Sequence, residues 1–285
     1  MSLKIRPATA ADASTCGRIV FEAFAAMSDK HTFPRDIPSA EMGIGFMQMM
    51  TSTPGFFGVV AEVDDKIVGS NFLDERSPIA GIGPITIDPN HQNKSVGREL
   101  MRAVIDRVRE KQYAGVRLVQ AAWHGRSLSL YTKLGFIVRE PLVVMQGEAI
   151  GKKIAGCEVR SAKQSDLLAC NELCFRIHGH NRGGELSGSI EQGTAVVVER
   201  GGRITGYSTI LGFFGHSIGE TNDDVKAILA AAKEFHGPGI LLPIRNTALF
   251  RWCLDSGLRV VQPMTLMSIG LYNEPAGAFL PSILY

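Results

Sequence analysis

No run of this sequence approaches the roughly 18 consecutive apolar residues that a membrane-spanning helix needs. The opening stretch MSLKIRPATAADAS has no apolar core of the kind a secretory signal carries. Both absences lead to the expectation of a cytosolic protein with no membrane partner. Cysteine is scarce: there are five in 285 residues, with no CxxC pair and no Cys/His spacing suited to zinc. That pattern predicts free thiols in a reducing compartment and no metal. Cys170 and Cys174 lie four apart in LLACNELCF, which suits packing on one helix face better than metal binding. Neither sign of charge is in excess. The formal net charge is +2, and Lys and Arg alternate with acids rather than forming a stripe. A nucleic-acid partner therefore gets little support, while a small anionic ligand fits. Low-complexity tracts are missing too, and 45% hydrophobic with 20% charged residues is ordinary for a globular chain. The length points to two domains, with one large α/β domain as the alternative.

The chain repeats itself. IRPATAADAS (5–14) pairs with VRSAKQSDLL (159–168), each reading as a short strand followed by a capped helix. VVAEVDDKIVGSNFL (59–73) pairs with VVVERGGRITGYSTI (196–210); Asp64-Asp65 and Gly201-Gly202 supply hairpin turns. YTKLGFIVREPLVVM (131–145) pairs with CLDSGLRVVQPMTLM (253–267), aligning Gly135 with Gly257, Pro141 with Pro263 and Met145 with Met267. Between the second and third matches each half carries an amphipathic helix. In the first, Val96, Leu100, Met101, Val104, Ile105 and Val108 form one apolar stripe. In the second, TNDDVKAILAAAKEF does the same, with Asn222 or Asp223 as the expected cap. Short apolar strands follow, VRLVQAAW (116–123) and GILLPI (239–244). Each half thus reads strand, helix, hairpin, strand, helix, strand, helix, strands. The implied architecture is α/β (α+β), two copies of a mixed sheet flanked by helices. Residues 1–147 form the first domain, 148–156 a Gly- and Lys-rich linker and 157–285 the second.

In the first half GIGPITIDP reads as a strand ending at Asp88-Pro89, and the loop NHQNKSVG leads into the amphipathic helix. A helix N-terminus presents unpaired N–H groups and the positive end of the helix dipole, which together favour an anion. Gly97 removes a side chain there, and Lys94 and Arg98 add positive charge. On the loop alone a phosphate cradle and an ordinary turn are equally good readings.

Two motifs then resemble the GNAT superfamily of acyl-CoA-dependent N-acetyltransferases. Gln92-Asn93-Lys94-Ser95-Val96-Gly97 is similar to that family's acyl-CoA signature, with Ser95 where the first glycine is usual. SLSLYTKLGF (127–136) matches its helix that ends in a tyrosine and leads into Gly-Phe. The resemblance covers residues 4–145. It implies two tandem GNAT-like domains, each with a mostly antiparallel sheet, and acetyl-CoA as cosubstrate. It also implies that Ile85, Thr86 and Ile87 splay from the neighbouring strand and bond the pantetheine arm. The backbone of Gln92, Asn93, Lys94, Ser95, Val96 and Gly97 would hold the pyrophosphate beside Arg98, and His124 would contact the cofactor. Tyr131 would protonate the departing thiolate; its other reading is a packing residue. The strand GIGPITID has no glutamate to serve as base. Asp74, Glu75 and His124 are candidates, each with a surface role as its simpler reading.

The second half lacks these features. GHSIGETNDDVKA places Glu220, Asp223 and Asp224 at the helix start, where acids favour the dipole themselves and repel a diphosphate. Cys253 stands where Tyr131 does. This half resembles a degenerate GNAT copy that would wall the acceptor site. His216, Glu220, Arg245 and Trp252 could reach an acceptor, though surface or core roles suit each better. The apolar segment 273–285 is expected to dock on the body and could close the cleft. The function implied is direct acetyl transfer to a primary amine of a small molecule or peptide. A noncatalytic acyl-CoA sensor or scaffold is the alternative. The acceptor, the acyl preference and the oligomeric state are not fixed by the sequence.

Overall fold

A computed structural model gives the fold of the chain and describes residues 3–92 and 95–284. In the first half the elements are β1 (Leu3–Pro7), α1 (Ala13–His31), α2 (Ala40–Ser52), β2 (Phe56–Val63), β3 (Lys66–Asp74), β4 (Ile79–Ile82), β5 (Thr86–Ile87), α3 (Val96–Glu110), β6 (Gly115–Ala121), α4 (Gly125–Lys133) and β7 (Ile137–Gln146). In the second they are β8 (Glu158–Ser161), α5 (Leu167–His178), α6 (Gly183–Glu191), β9 (Val196–Arg200), β10 (Arg203–Ser208), β11 (Ser217–Gly219), α7 (Asn222–Ala231), β12 (Ile240–Pro243), α8 (Thr247–Asp255), β13 (Arg259–Gly270) and β14 (Ala278–Leu280). Where the sequence reads one helix before each hairpin there are two. In the first half Pro34 and Pro38 interrupt the helical run, and Ser39 caps α2 by accepting the Met42 N–H at 3.3 Å. α1 and α2 cross at two glycines: a Cβ on Gly43 would meet the Gly17 carbonyl oxygen at 2.5 Å.

The duplication is visible atom by atom. Arg6 donates to Glu62 at 2.8 Å and to Asp12 at 2.8 Å. Arg160 donates to Glu199 at 2.9 Å and to Asp166 at 2.7 Å. Asp12 and Asp166 each also accept a backbone N–H three residues back, from Thr9 and Lys163, both at 2.8 Å. Asp64 and Asp65 in one hairpin and Gly201 and Gly202 in the other all have positive φ, the geometry that a tight hairpin turn requires.

The halves exchange strands. Among the described residues one sheet runs β1-β2-β3-β4-β6-β13-β7-β12, with β5 on β3, and the other runs β14-β11-β10-β9-β8. β13 of the second half lies between β6 and β7 of the first, with Thr265 opposite both Gln120 and Pro141. β7 in turn pairs with β12. Among the described strands all pairings are antiparallel except β4 with β6; outside them Gly212 and His236 form one parallel bridge. The apolar stripe of α3 is buried at all six expected positions and packs on one face of the first sheet with α4. α1 and α2 cover the other face through Cys16, Val20, Met47 and Met50. Cys170 and Cys174 are fully buried on α5, as core side chains, and all five cysteines are free thiols.

Candidate active site

β4 and β6 run parallel from Ile79↔Gly115 to Gly81↔Arg117. Beyond Gly83 and Pro84 the chain continues as β5, which pairs with β3 through Gly69↔Ile87 and Ser70↔Thr86. β6 runs on past Arg117 to Ala121 with no strand on its β4 side among the described residues, while its other edge pairs with β13 throughout. The two strands therefore diverge and leave a gap through the sheet, with the open edge of β5 on one side. A cavity of about 760 Å³ occupies it. Its walls include Ile85, Thr86, Ile87, Gln92, Ser95, Val96, Gly97, Arg98, His124 and Tyr131. Every described residue named from the sequence as a cofactor contact, and Tyr131 as the acid, thus lies on one surface. Asn93 and Lys94 fall outside the described residues.

One mouth of the cavity is the start of α3. Ser95 has φ 64° and ψ 0° and makes no side-chain cap. Its carbonyl accepts from Arg98 N at 3.0 Å and Glu99 N at 3.2 Å. The N–H groups of Val96 and Gly97 belong to the first turn, which has no intrahelical acceptor for them. Ser95 stands where the family's first glycine is usual, and its left-handed backbone gives the reason for that glycine. A Cβ on Gly97 would come 3.2 Å from Ile87 Cδ1, so this glycine also lets α3 approach β5. Arg98, Arg126 and His91 make this mouth basic. Arg126 donates to Gln92 Oε1 at 2.6 Å and ties the loop to α4.

Tyr131 lies near the end of α4, its ring 6.1 Å from that of Phe136. It is 6% exposed. Burial pushes its phenol up to about 12, against a smaller opposing effect of its hydrogen bond with Ser127, so it stays protonated at neutral pH. His124 Nδ1 is 2.7 Å from Ser127 Oγ. Burial, with help from Arg126, His31 and Lys30, lowers the pKa of His124 and favours its neutral form.

The other base candidates lie elsewhere. Asp74 is bound by Arg76 at 2.6 Å and Glu75 by Arg107 at 2.7 Å, and neither lines the cavity. His216, Glu220, Arg245 and Trp252 do not line it either. His216 is sealed between Tyr207 and Glu185; Glu220 pairs with Arg203, and Arg245 with Glu140 and Glu274. The second half reaches the cavity through other residues, namely Phe213, Phe214, Met264, Ile283 and Leu284.

Two lining residues escape a sequence reading. Gln120, 6% exposed on β6, has no hydrogen-bond partner for either amide atom among the described residues. A buried unpaired amide costs about 1–3 kcal/mol per group, so a ligand amide facing it would relieve a real penalty. The signal was an amide inside the apolar strand VRLVQAAW. Asp36, in the loop between α1 and α2, accepts from Gln262 Nε2 at 2.9 Å. Gln262 Oε1 accepts from Trp123 Nε1 at 3.2 Å. Burial raises the Asp36 carboxyl to about 6, partly opposed by the Gln262 bond.

The same place in the second half is closed. Thr221 is the N-cap of α7, in place of the expected Asn222 or Asp223, because the Asp224 carboxylate takes the Thr221 N–H and hydroxyl, each at 2.8 Å. Asn222 instead pairs with the Asn246 side chain. Asp224 is fully buried and also accepts from Thr205 at 2.6 Å, so the helix start carries its own anion. β14 pairs with β11, and its Ala278 and Leu280 pack with Ile240 and Leu242 of β12, filling the gap that stays open in the first half.

Residues 23–136 match the model of the acetyltransferase (GNAT) family. Residues 23–136 form a GNAT domain. Over 85 residues the chain is 31% identical to the mycothiol acetyltransferase of Nocardia farcinica, a stretch covering 28% of this chain and 28% of that protein. The match thus spans little more than a quarter of the curated relative. A Pyrococcus horikoshii protein assigned as an acetyltransferase superimposes with TM-score 0.72 at 18% identity, over 97% of this chain and 94% of that one. A tandem GNAT protein from the clavulanic acid biosynthesis pathway gives TM-score 0.57 at 13% identity, over 94% and 98%. These likenesses establish the tandem GNAT fold for the chain as a whole. Among the described residues no helix is long and apolar enough to cross a membrane, and no cluster of His, Cys, Asp and Glu could hold a metal ion.

Proposed function

We propose that the chain is an acetyl-CoA-dependent N-acetyltransferase, with the GNAT domain of residues 1–147 holding the cosubstrate and the copy at 157–285 walling the acceptor side. The observation that carries this reading is one continuous cavity joining the open start of α3 to Tyr131 through the gap in the sheet. Acetyl-CoA supplies the acyl thioester. The Val96 and Gly97 N–H groups and the positive end of α3 would hold its diphosphate, supported by Arg98 and Arg126. The unpaired edge of β5 and the Gln120 amide would satisfy the pantetheine amides. Tyr131, buried and protonated, would give its proton to the leaving thiolate, and the apolar walls around it keep water from competing with the amine. With the α7 start closed and β14 filling the gap, the second half has no comparable site among the described residues. This also supports assigning the cosubstrate to the first.

The test is release of CoA thiol with a panel of amines, combined with calorimetry of acetyl-CoA binding. Tyr131→Phe is expected to lower kcat about 100-fold with acetyl-CoA affinity nearly unchanged. Unchanged turnover would remove the acid role. Tight acetyl-CoA binding without transfer to any amine would favour a noncatalytic acyl-CoA sensor.

A further inference from the structure

Away from the basic mouth the cavity changes character. Among the described residues that line it, Asp36 alone carries a carboxylate. No Lys or Arg is bridged to it among those residues; its hydrogen-bond partner is the neutral amide of Gln262, itself 2% exposed and held by Trp123. The basic groups Arg98, Arg126 and His91 belong to the elements that form the opposite mouth. The cavity is therefore uneven: Arg98 and Arg126 lie around the start of α3, and on the α1–α2 side the Asp36 carboxylate, held by Gln262, shares the lining with Lys30 and His31 of α1. Apart from Lys30 and His31 the wall on that side is apolar: Phe24 and Met27 from α1, Phe46 from α2, and Phe213, Phe214 and Met264 from the second half. Phe46 and Phe214 meet across the two halves with ring centroids 5.4 Å apart. Phe214 is 41% exposed, so this aromatic pair stands at the entrance.

From this arrangement we infer that the acceptor is a primary amine on an aromatic or branched apolar body, and that Asp36 binds its ammonium and takes its proton. The inference rests on the acetyltransferase reading above and names the substrate class of that site. A polyamine would leave further ammonium groups against phenylalanine and methionine walls. An amino sugar would bury several hydroxyls with no polar partner there. Each costs about 1–3 kcal/mol per unpaired group. An aryl or branched alkyl body instead gains from leaving water, and the methionines adapt to its outline. Aromatic faces beside the carboxylate also favour a cation.

The ammonium gives one proton to Asp36, directly or through a water, and the nitrogen lone pair forms the C–N bond as the C–S bond breaks. The sulfur takes the Tyr131 proton. The second nitrogen proton restores the phenol, and Asp36 returns its proton to solvent.

The experiment measures CoA thiol release with phenethylamine, tryptamine, phenylalanine, spermidine and glucosamine, alongside calorimetry of acetyl-CoA. Phenethylamine or tryptamine is expected to exceed spermidine and glucosamine at least 10-fold in kcat/KM. Asp36→Asn is expected to lower kcat/KM for the preferred amine about 100-fold at pH 7 without changing acetyl-CoA affinity, and Asp36→Glu to recover part of the loss. Phe214→Ser should raise KM for the aryl amine with little change in kcat. Phenylalanine above phenethylamine would place the acceptor among apolar amino acids, with Lys30 and His31 at the rim meeting its carboxylate, and keeps the inference. Preferred transfer to spermidine or glucosamine, or full activity in Asp36→Asn, overturns the inference while leaving the acetyltransferase reading intact. No transfer to any amine despite acetyl-CoA binding overturns both.

Discussion

Replacing Asp36 by asparagine should make the protein more stable, and the size of the gain should depend on pH. The carboxyl group moves from its ordinary 3.8 to about 6 on folding because its surroundings are poor in water. The folded state therefore resists its ionisation. The penalty is absent below the unfolded value, grows as pH rises from 3.8 to about 6, and is constant above that. At about 1.4 kcal/mol per pH unit, it reaches a ceiling of about 3 kcal/mol at pH 7.5 and about half that at pH 5. Part exposure of the side chain lowers both figures without changing their order. Asparagine keeps the oxygen that accepts from Gln262 and carries no charge. Lys30 and His31 on α1, which line the same cavity, and Gln262 on β13 are unaltered, as is the exposed Arg35–Asp29 pair. Thermal melting of wild type and Asp36→Asn at pH 7.5 and pH 5 is the assay. A gain of roughly 5 °C at the higher pH, shrinking at the lower, is expected for a chain of this size. A variant that is less stable than wild type at pH 7.5, or an offset independent of pH, would refute the reasoning. A carboxylate kept at a stability cost is what a functional site requires.

Other substitutions test other parts of the site. Ser95→Gly relieves a left-handed residue and should raise stability by about 1 kcal/mol, read from denaturant midpoints; a loss would show that the serine hydroxyl matters there. Gly97→Glu places a carboxylate at the open start of α3 and should weaken acetyl-CoA at least 10-fold in calorimetry. Its melting temperature should move little, since the nearest obstacle is the flexible end of Ile87. Asp224→Ala leaves the start of α7 without its anion and the Thr205 hydroxyl without its partner, and should cost about 2–3 kcal/mol in chemical denaturation. It should leave acetyl-CoA affinity unchanged, because that helix start lies outside the proposed site.

Local features were legible because their causes are local. The α3 stripe follows from a 3.6-residue period, and the two hairpins from Asp64-Asp65 and Gly201-Gly202. The gathering of Thr86, Gln92, Gly97 and Tyr131 on one cavity was implied by the resemblance of two motifs to the GNAT family, not by their spacing. The exchange of β7 and β13 was not legible, because Leu266 is apolar whether it faces Val119 or a strand of its own half. Asp36 was missed for a related reason. In HTFPRDIPS it reads as a surface acid, and what buries it is Gln262, 226 positions away. The closure of the second gap depends on β14, whose few residues carry too little pattern to reveal a partner.

The strand exchange sets a timetable for synthesis. When β6 emerges from the ribosome its outer edge has no neighbour, because the strand that covers it lies far downstream; Trp123 and Gln262, joined in the finished structure, are 139 positions apart. At about 5–20 residues per second the growing chain carries an open sheet edge for on the order of ten seconds. Such an edge is a template for any other strand, including the same edge of a neighbouring nascent chain. A first half expressed without its copy would keep that edge permanently, and would be expected to collect as dimers or aggregates through β6 and β7.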